Sequence, residues 1–289
     1  MFCLNYFIGP DMWSLAKPSL SMALGDIPTL IAESGGRLKI TDQTGLELLY
    51  RDYDTAGGNM TQARHDRYDA AKAKIIHSLY PKTYESGTSP LKSIRSELMM
   101  MVDKCPYCGF GEPITLDHVK PQSSFKALST CRLNLVPLCY RCNQYKGTDK
   151  HMFVHPYYQR YPINKRFFSA SVQFFFGHFI FSFYIDPTYL SPKLSAILAN
   201  QIQVIRLTQR LAKEVSSFIY EQLKSQCFHD SDQLLKKIIS DMVDQSTINN
   251  GLNHWKTAAL KALETSPDLS IDNIDAYLAK IQSSRQPVI

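Results

Sequence analysis

Apolar residues return at helical spacing through much of the chain outside its central segment. Across residues 61–80 they recur every three or four positions, which predicts a helix that Pro81 stops. The next helix has start signals at Ser89 and Pro90, and its apolar face carries Leu91, Ile94, Leu98 and Val102. Residues 1–58 contain scattered proline and glycine, so we expect short elements joined by loops there.

After residue 159 the pattern first becomes strand-like and then helical again. Aromatic and β-branched runs on either side of Gly177 predict a β-hairpin over about residues 167–186. Its apolar stretch is shorter than the roughly 20 residues of a membrane helix, so we expect no membrane insertion. Helical periodicity then returns in residues 191–225. A second helix is predicted to begin at a cap, Asp230 or Ser231, and to end near Val243. A shorter helix contains Leu260 and Leu263, and a last helix follows Ser270.

The central segment carries two Cys-x-x-Cys pairs, Cys105 with Cys108 and Cys139 with Cys142. Two such pairs are the usual frame of a tetrahedral zinc site with four cysteine ligands. A plain zinc ribbon has about 15–20 residues between its pairs, whereas residues 109–138 provide 30 here. A zinc ion with four thiolate ligands has no position left for water. We therefore expect a structural Zn²⁺ and a separate chemical centre stored between the pairs.

Composition narrows the setting without identifying a partner. The chain has 289 residues and a formal net charge of +6, which permits an anionic partner but does not require one. Seven unevenly spaced cysteines argue against a secreted disulfide framework and favour a reducing, cytoplasmic compartment. The first residues show no basic leader, so we do not expect a signal peptide.

The second centre is predicted at Asp117 and His118, with Asn143 and Lys146 just beyond the last cysteine. Imidazole, with a reference pKa of about 6.5, suits general-base chemistry, and a carboxylate suits Mg²⁺. Asn143 offers a neutral oxygen ligand, and Lys146 offers a cation for phosphate. Adjacent strand residues point to opposite faces, so Asp117 and His118 serve one site only at a bulge or strand end. Singly, the pair also fits surface hydrogen bonding, and Asn143 fits helix capping.

These residues together resemble the HNH endonuclease family, over about residues 102–158. The motifs are Cys-x-x-Cys, Leu-Asp-His-Val-x-Pro-Gln-Ser and Asn-Leu-Val-x-Leu-Cys-x-x-Cys-Asn-x-x-Lys. Family members have a ββα-metal fold, often with a four-cysteine zinc, and a similar residue order occurs in the HNH domain of RNA-guided CRISPR effectors. The resemblance implies an α+β protein. A nuclease module at 101–158 follows a mainly helical region at 1–100 and precedes a β-hairpin plus helical domain at 159–289.

The resemblance also implies a role for each site residue. His118 is the general base, Asp117 and Asn143 hold a catalytic Mg²⁺ or Mn²⁺, and Asn134 orients His118 or its loop. Many family members have histidine where this chain has Asn143, and His151 is an alternative ligand nearby. Asparagine favours Mg²⁺ or Mn²⁺, whereas histidine tolerates softer ions.

The implied activity is hydrolysis of phosphodiester bonds in DNA, one strand at a time. Nearby cations would contact phosphates, although ordinary solvated charge is an equal interpretation of any one of them: Lys120, Lys126, Arg132, Arg141, Lys146 and Lys150. Two alternatives stay open, a zinc-stabilised nucleic-acid-binding module without cleavage and an RNA-cleaving toxin. Similar proteins act in bacterial antiviral defence or restriction, frequently with an ATPase or another regulatory partner. Sequence specificity, activating signal and oligomeric state are not readable from the residues.

Overall fold

A computed structural model describes residues 12–84, 88–147, 153–162, 164–224 and 231–285. Its described residues form two compact units, mainly residues 13–160 and residues 161–285. The first unit contains the helices before residue 100 together with the cysteine-rich segment. The fold is α+β, as expected, with two small antiparallel sheets among helices. No helix in the described part of the chain is both long and apolar enough to cross a membrane.

The first unit consists of short helices followed by two strands and one more helix. These are α1 Leu20–Gly25, α2 Ile27–Glu33, α3 Gln43–Thr55, α4 Gln62–His65, α5 Ala70–Leu79, α6 Lys92–Met100, β1 Thr115–His118, β2 Leu135–Leu138 and α7 Tyr140–Lys146. The single helix predicted over residues 61–80 is wrong, because it is broken between α4 and α5. The carboxylate of Asp69 accepts a hydrogen bond from the backbone N–H of Lys72 and thereby starts a new helix.

The first unit has one continuous apolar core. Buried side chains of α2, α3, α5 and α6 belong to the same cluster as those of β1 and β2, among them Leu30, Leu46, Ile76, Leu98, Leu116 and Leu135. Removing such side chains from water contributes about 25 cal/mol per Å² of apolar surface. The helices before residue 100 and the cysteine-rich segment are therefore stabilised by the same buried surface.

Strands β1 and β2 pair antiparallel, and α7 follows β2 directly, which gives the predicted ββα order. Asp117 lies opposite Val136 and His118 lies opposite Leu135. His118 is the last residue of β1, so the chain turns immediately after it. This is the strand end that the sequence requires if two adjacent side chains are to serve one site.

The second unit opens with the predicted hairpin and continues as five helices among its described residues. These elements are β3 Phe168–Phe175, β4 His178–Ile185, α8 Pro192–Val204, α9 Leu207–Leu223, α10 Asp232–Asn250, α11 Trp255–Glu264 and α12 Ile271–Arg285. Phe176 and Gly177 in the hairpin turn have φ angles of 47° and 80°, the left-handed pair typical of tight hairpins.

One predicted helix bound in this unit is wrong. The helical segment predicted at residues 191–225 is helical as expected, and it is divided into two helices where Arg206 has a left-handed φ of 52°. Helix α10 begins after the predicted cap Ser231, but it continues past Val243 to the positive-φ Gly251. Apolar periodicity shows the buried face of a helix, whereas a local backbone reversal leaves no trace in that pattern.

Candidate active site

The four paired cysteines form one buried cluster. Sγ atoms of Cys105, Cys108, Cys139 and Cys142 all lie within 4.8 Å of one another. The sulfurs of Cys108 and Cys139 are 3.8 Å apart, and a regular tetrahedron with Zn–S bonds of about 2.3 Å has edges of about 3.8 Å. Backbone N–H groups of Gly111 and Cys142 point at the sulfurs of Cys108 and Cys139. The residues therefore fit a structural Zn²⁺.

Glycine is required at the first cysteine pair. A Cβ on Gly111 would lie 2.8 Å from the Sγ of Cys139, closer than non-bonded atoms approach. Gly109 has a φ of 73°, a conformation in which a side chain is strained. The same knuckle is anchored to the start of the unit, since the indole N–H of Trp13 donates to the carbonyl of Tyr107.

A cleft of about 670 Å³ lies beside the strands, and Asp117, His118, Asn143 and Lys146 all line it. Asp117 and His118 reach it from the end of β1, whereas Asn143 and Lys146 reach it from α7. The spacing of three residues places the two α7 side chains on the same helix face. The structure thus brings the four predicted residues to one place.

The imidazole of His118 is held in a defined tautomer. Its Nε2 lies 2.9 Å from the carbonyl oxygen of Ser129, and because a carbonyl only accepts, Nε2 carries the proton and Nδ1 does not. Burial lowers the pKa of His118 to about 4, since the charged ring is poorly solvated there. The ring is therefore neutral near pH 7, as a general base must be.

Asp117 and Lys146 form a buried ion pair. Oδ2 of Asp117 lies 2.7 Å from Nζ of Lys146, and Nζ donates to the carbonyl of His118 at 3.0 Å. Burial raises the pKa of Asp117, and the ammonium of Lys146 partly offsets that effect. No described group makes a well-oriented hydrogen bond to Oδ2. Asp117 and Asn143 line the same cleft, and carboxylate and amide oxygens are ligand types that suit a hard cation such as Mg²⁺ or Mn²⁺. Lys146 occupies Oδ2 in this structure, so its ammonium would have to move away from that oxygen for a cation to bind there.

Asn134 holds the loop that follows His118. Its Oδ1 accepts from the backbone N–H of Lys120 at 2.7 Å, and its Nδ2 donates to the carbonyl of Lys120 at 3.1 Å. Oδ1 also accepts from the hydroxyl of Tyr53 at 3.0 Å, and that hydroxyl lies 3.0 Å from Nε2 of His155. Asn134 thus contacts the loop rather than the imidazole.

Comparison with protein families matches residues 105–149 to the HNH endonuclease model. The chain contains an HNH domain. Comparisons with curated proteins and with solved structures return no match. The matched segment begins at the first cysteine of the zinc cluster and includes the strands and helix that carry the cleft residues. The resemblance inferred from the motifs is confirmed, and the domain indicates a nuclease that acts on nucleic acid.

The cations predicted around the HNH domain occupy different environments. Lys146 faces Asp117 inside the cleft. Nζ of Lys120 donates to the side chain of Asn59 at 3.3 Å, and burial lowers the pKa of Lys120. Arg141 is exposed in the first turn of α7. Neither Lys120 nor Arg141 lines the cleft, so their contact with nucleic acid stays a prediction.

Arg132 corrects one expectation about these cations. Its side chain is buried, and its guanidinium bonds the carboxylates of Asp26 and Glu97. A guanidinium committed to two carboxylates inside the first unit is not available to phosphate, so the predicted DNA contact is wrong. His151 and Lys150 lie outside the described residues.

Three cleft residues come from outside the HNH domain and were missed by sequence reasoning. His77, Tyr80 and Tyr84 line the cleft beside the catalytic pair. The hydroxyl of Tyr80 donates to the carbonyl of Leu116 at 3.0 Å, and its ring centroid lies 4.5 Å from that of His118. Periodicity places Tyr80 at the end of a helix, but only the packing of that helix against β1 reveals its contact with the imidazole.

Proposed function

We propose that this protein is a metal-dependent endonuclease that hydrolyses phosphodiester bonds in DNA. The observation that carries the proposal is the meeting of Asp117, a neutral His118 and Asn143 on one cleft of an HNH domain. A module that only binds nucleic acid needs none of these three groups in one place. The four-cysteine cluster supplies the structural support for both strands and α7.

In the proposed reaction His118 takes a proton from the attacking water. The hydrogen bond from Nε2 to Ser129 fixes the tautomer, which leaves Nδ1 as the basic nitrogen. Asp117 and Asn143 would hold Mg²⁺ or Mn²⁺, which when bound stabilises negative charge on phosphate oxygens. Asn134 fixes the loop after His118 through Lys120, so the base keeps its position during proton transfer.

We also propose a cellular setting on the resemblance alone. Stand-alone HNH proteins with added helical regions resemble bacterial enzymes of antiviral defence or restriction, frequently paired with an ATPase. None of the five cysteines among the described residues forms a disulfide, which supports a reducing, cytoplasmic compartment. A partner of this kind would be detected by co-purification from a host that expresses the neighbouring genes.

The decisive experiment is nicking of supercoiled plasmid DNA with Mg²⁺ or Mn²⁺. We expect His118→Ala to reduce the rate by about 10²–10⁴-fold, the usual contribution of a general base. Zinc content and melting temperature should stay near those of the wild type. His178→Ala, a change in the hairpin of the second unit, is the matched control and should cleave normally.

Each alternative has its own outcome in that assay. Undiminished nicking by His118→Ala would remove His118 as the base. Tight DNA binding by a wild-type protein that shows no cleavage with either Mg²⁺ or Mn²⁺ would favour the binding module. Cleavage of RNA with no cleavage of plasmid would favour the toxin. The single variants Asp117→Asn and Asn143→Ala should also lose activity, as His118→Ala does. All three residues are proposed to serve the same reaction, Asp117 and Asn143 through the metal and His118 through the attacking water.

A further inference from the structure

The catalytic cleft continues into a second cavity beside it. This cavity has a volume of about 210 Å³. Ser123 and Lys126 line both the cleft and the second cavity. The two cavities therefore adjoin each other at Ser123 and Lys126. Together they make a depression that extends beyond the residues proposed for catalysis.

One wall of this depression is a helix outside the HNH domain. Ala73 and Lys74 of α5 line the second cavity, while His77 of α5 and Tyr80 line the cleft. A helix of 10 residues is about 15 Å long, so α5 borders the depression over much of its length. The loop from Pro121 to Lys126, inside the HNH domain, forms the opposite wall.

The polar groups of this depression suit a chain of phosphates. Lys74 and Lys126 carry ammonium groups, and Ser123 and Ser124 carry hydroxyls. The carboxylate of Asp66 also lines the second cavity, where it accepts hydrogen bonds from the side chains of Gln62 and His65. The cavity lining therefore sets two ammonium groups against one carboxylate, which leaves it net positive. Tyr68 lines the same cavity, and its buried hydroxyl has no hydrogen-bond partner among the described residues. Cations, hydroxyl donors and an unsatisfied phenol are complementary to an anionic oxygen.

We propose that this depression, defined by Lys74, His77, Ser123 and Lys126 and named the strand groove, binds the DNA backbone next to the scissile phosphate. Lys74 and Lys126 each contact a phosphate there. The proposal rests on the proposed function, since it assumes a nucleic-acid substrate in the cleft. It assigns the helical region before residue 100 a share in substrate binding, in addition to its share of the apolar core.

The test measures DNA binding separately from cleavage. The dissociation constant of a short DNA duplex is measured over a series of salt concentrations in a His118→Ala background, with Lys74→Ala, with Lys126→Ala and with both. Each lost phosphate contact should lower the slope of log affinity against log salt by about 0.9. In the double variant the slope should fall by about twice as much as in either single variant.

Lys72→Ala is the matched control on the same helix. Its Nζ lies 2.6 Å from Oδ1 of Asp42, and Lys72 does not line either cavity. Its loss should leave the salt slope unchanged. Equal slopes for Lys72→Ala and Lys74→Ala, or an unchanged slope in Lys126→Ala, would overturn the strand groove.

The outcomes separate this inference from the proposed function. A wild-type protein that never cleaves, but binds DNA with slopes that respond to Lys74 and Lys126, would refute the nuclease and keep the groove. A wild-type protein that cleaves plasmid while both lysine variants keep its slope would keep the nuclease and refute the groove.

Discussion

The four-cysteine cluster and the cleft that contains Asp117 and His118 are assembled in opposite ways. All four cysteines that fit zinc belong to two Cys-x-x-Cys pairs, and the backbone donors to the sulfurs of Cys108 and Cys139 are each three residues away. The cleft instead draws its walls from outside the matched segment, as Tyr80 and His77 show. A site whose residues are close together along the chain can be predicted from the sequence. A site that is completed by residues remote along the chain cannot, because it depends on how the helices pack.

The difference also separates folding from chemistry. Four thiolates around Zn²⁺ can stabilise the domain without taking part in hydrolysis, because their coordination is complete. Asp117 and His118 are buried polar groups, which destabilise a fold unless partners compensate them. Changes at the cluster should therefore act on stability. Changes at the cleft should act on rate where the side chain takes part in the proposed reaction, and on stability where the side chain neutralises a buried charge.

The largest effect is expected from removal of one zinc ligand. Cys139→Ser should unfold the HNH domain, because structural zinc contributes about 10–16 kcal/mol in small thiolate sites. Zinc per chain and the melting temperature are the measurements. Cys131→Ser is the matched control, since Cys131 is equally buried but lies outside the cluster. Loss of zinc from both variants, or from neither, would contradict the prediction that Cys139 is a zinc ligand and Cys131 is not.

A smaller effect is expected when the buried ion pair of the cleft is broken. Lys146→Met should lower the free energy of unfolding by about 3–5 kcal/mol, because it leaves the carboxylate of Asp117 buried without its partner. Lys261→Met provides the control, since Lys261 forms a partly exposed pair with Glu264 that is closer to a surface pair and should be worth about 1 kcal/mol or less. Urea titrations measure the free energy of unfolding of both variants. Equal decreases relative to the wild type would refute the larger contribution expected of the buried pair.

A pair of tyrosines tests whether Tyr80 positions the general base. Tyr80 and Tyr157 each donate a hydrogen bond to a strand carbonyl, of Leu116 and Leu135 respectively, but only Tyr80 contacts His118. Tyr80→Leu should reduce kcat by about 10–10²-fold with KM unchanged, as small misplacements of a reacting group do.

The tyrosine comparison has internal controls. Tyr157→Leu should lower the melting temperature while the folded protein keeps its kcat. Tyr80→Phe retains the ring beside His118 and should recover most of the rate lost in Tyr80→Leu. Equal kcat in the two leucine variants, measured below both melting temperatures, would reduce Tyr80 to a packing residue.

The smallest effect concerns pH and His155. Burial lowers the pKa of His155 to about 3, below the ordinary value of about 6.5. The folded protein therefore binds fewer protons than the unfolded chain between these values, so stability is full above pH 6.5 and falls as pH is lowered toward 3. The slope from one such group is at most about 1.4 kcal/mol per pH unit. Unfolding in urea at several pH values should show that the free energy of unfolding falls less steeply with decreasing pH in His155→Gln than in the wild type. An identical decrease in both proteins would exclude His155 as a cause of the pH dependence.

The sequence predicts the motif-bearing part of the molecule well and the interhelical part poorly. The zinc ligands, the ββα order and the hairpin around Gly177 follow from spacing and turn chemistry. Asp69, which divides a predicted helix, and Arg206, which divides another, act through single local conformations that periodicity does not register. Arg132 looked like a surface cation because the acidic partners that bury it are remote in sequence.

The contacts of Lys146 and Asn134 were also not predictable from the sequence motif. Lys146 was predicted to face phosphate, yet its ammonium lies against Asp117, a relation fixed by how α7 packs on β1. Tyr53 reaches Asn134 from a position 81 residues away along the chain, and His155, 21 residues beyond Asn134, contacts the hydroxyl of Tyr53. No pattern within the motif encodes these partners, because they depend on which helix surfaces meet.

The side chain of Asn134 imitates a neighbouring peptide group. Its oxygen and its nitrogen meet the N–H and the C=O of one residue, Lys120, as the next rung of a β-ladder would. Aspartate has nearly the same size but would turn an oxygen without a proton toward that carbonyl. Spontaneous deamidation at this position would therefore convert an attractive rung into a repulsive one and loosen the loop that follows His118.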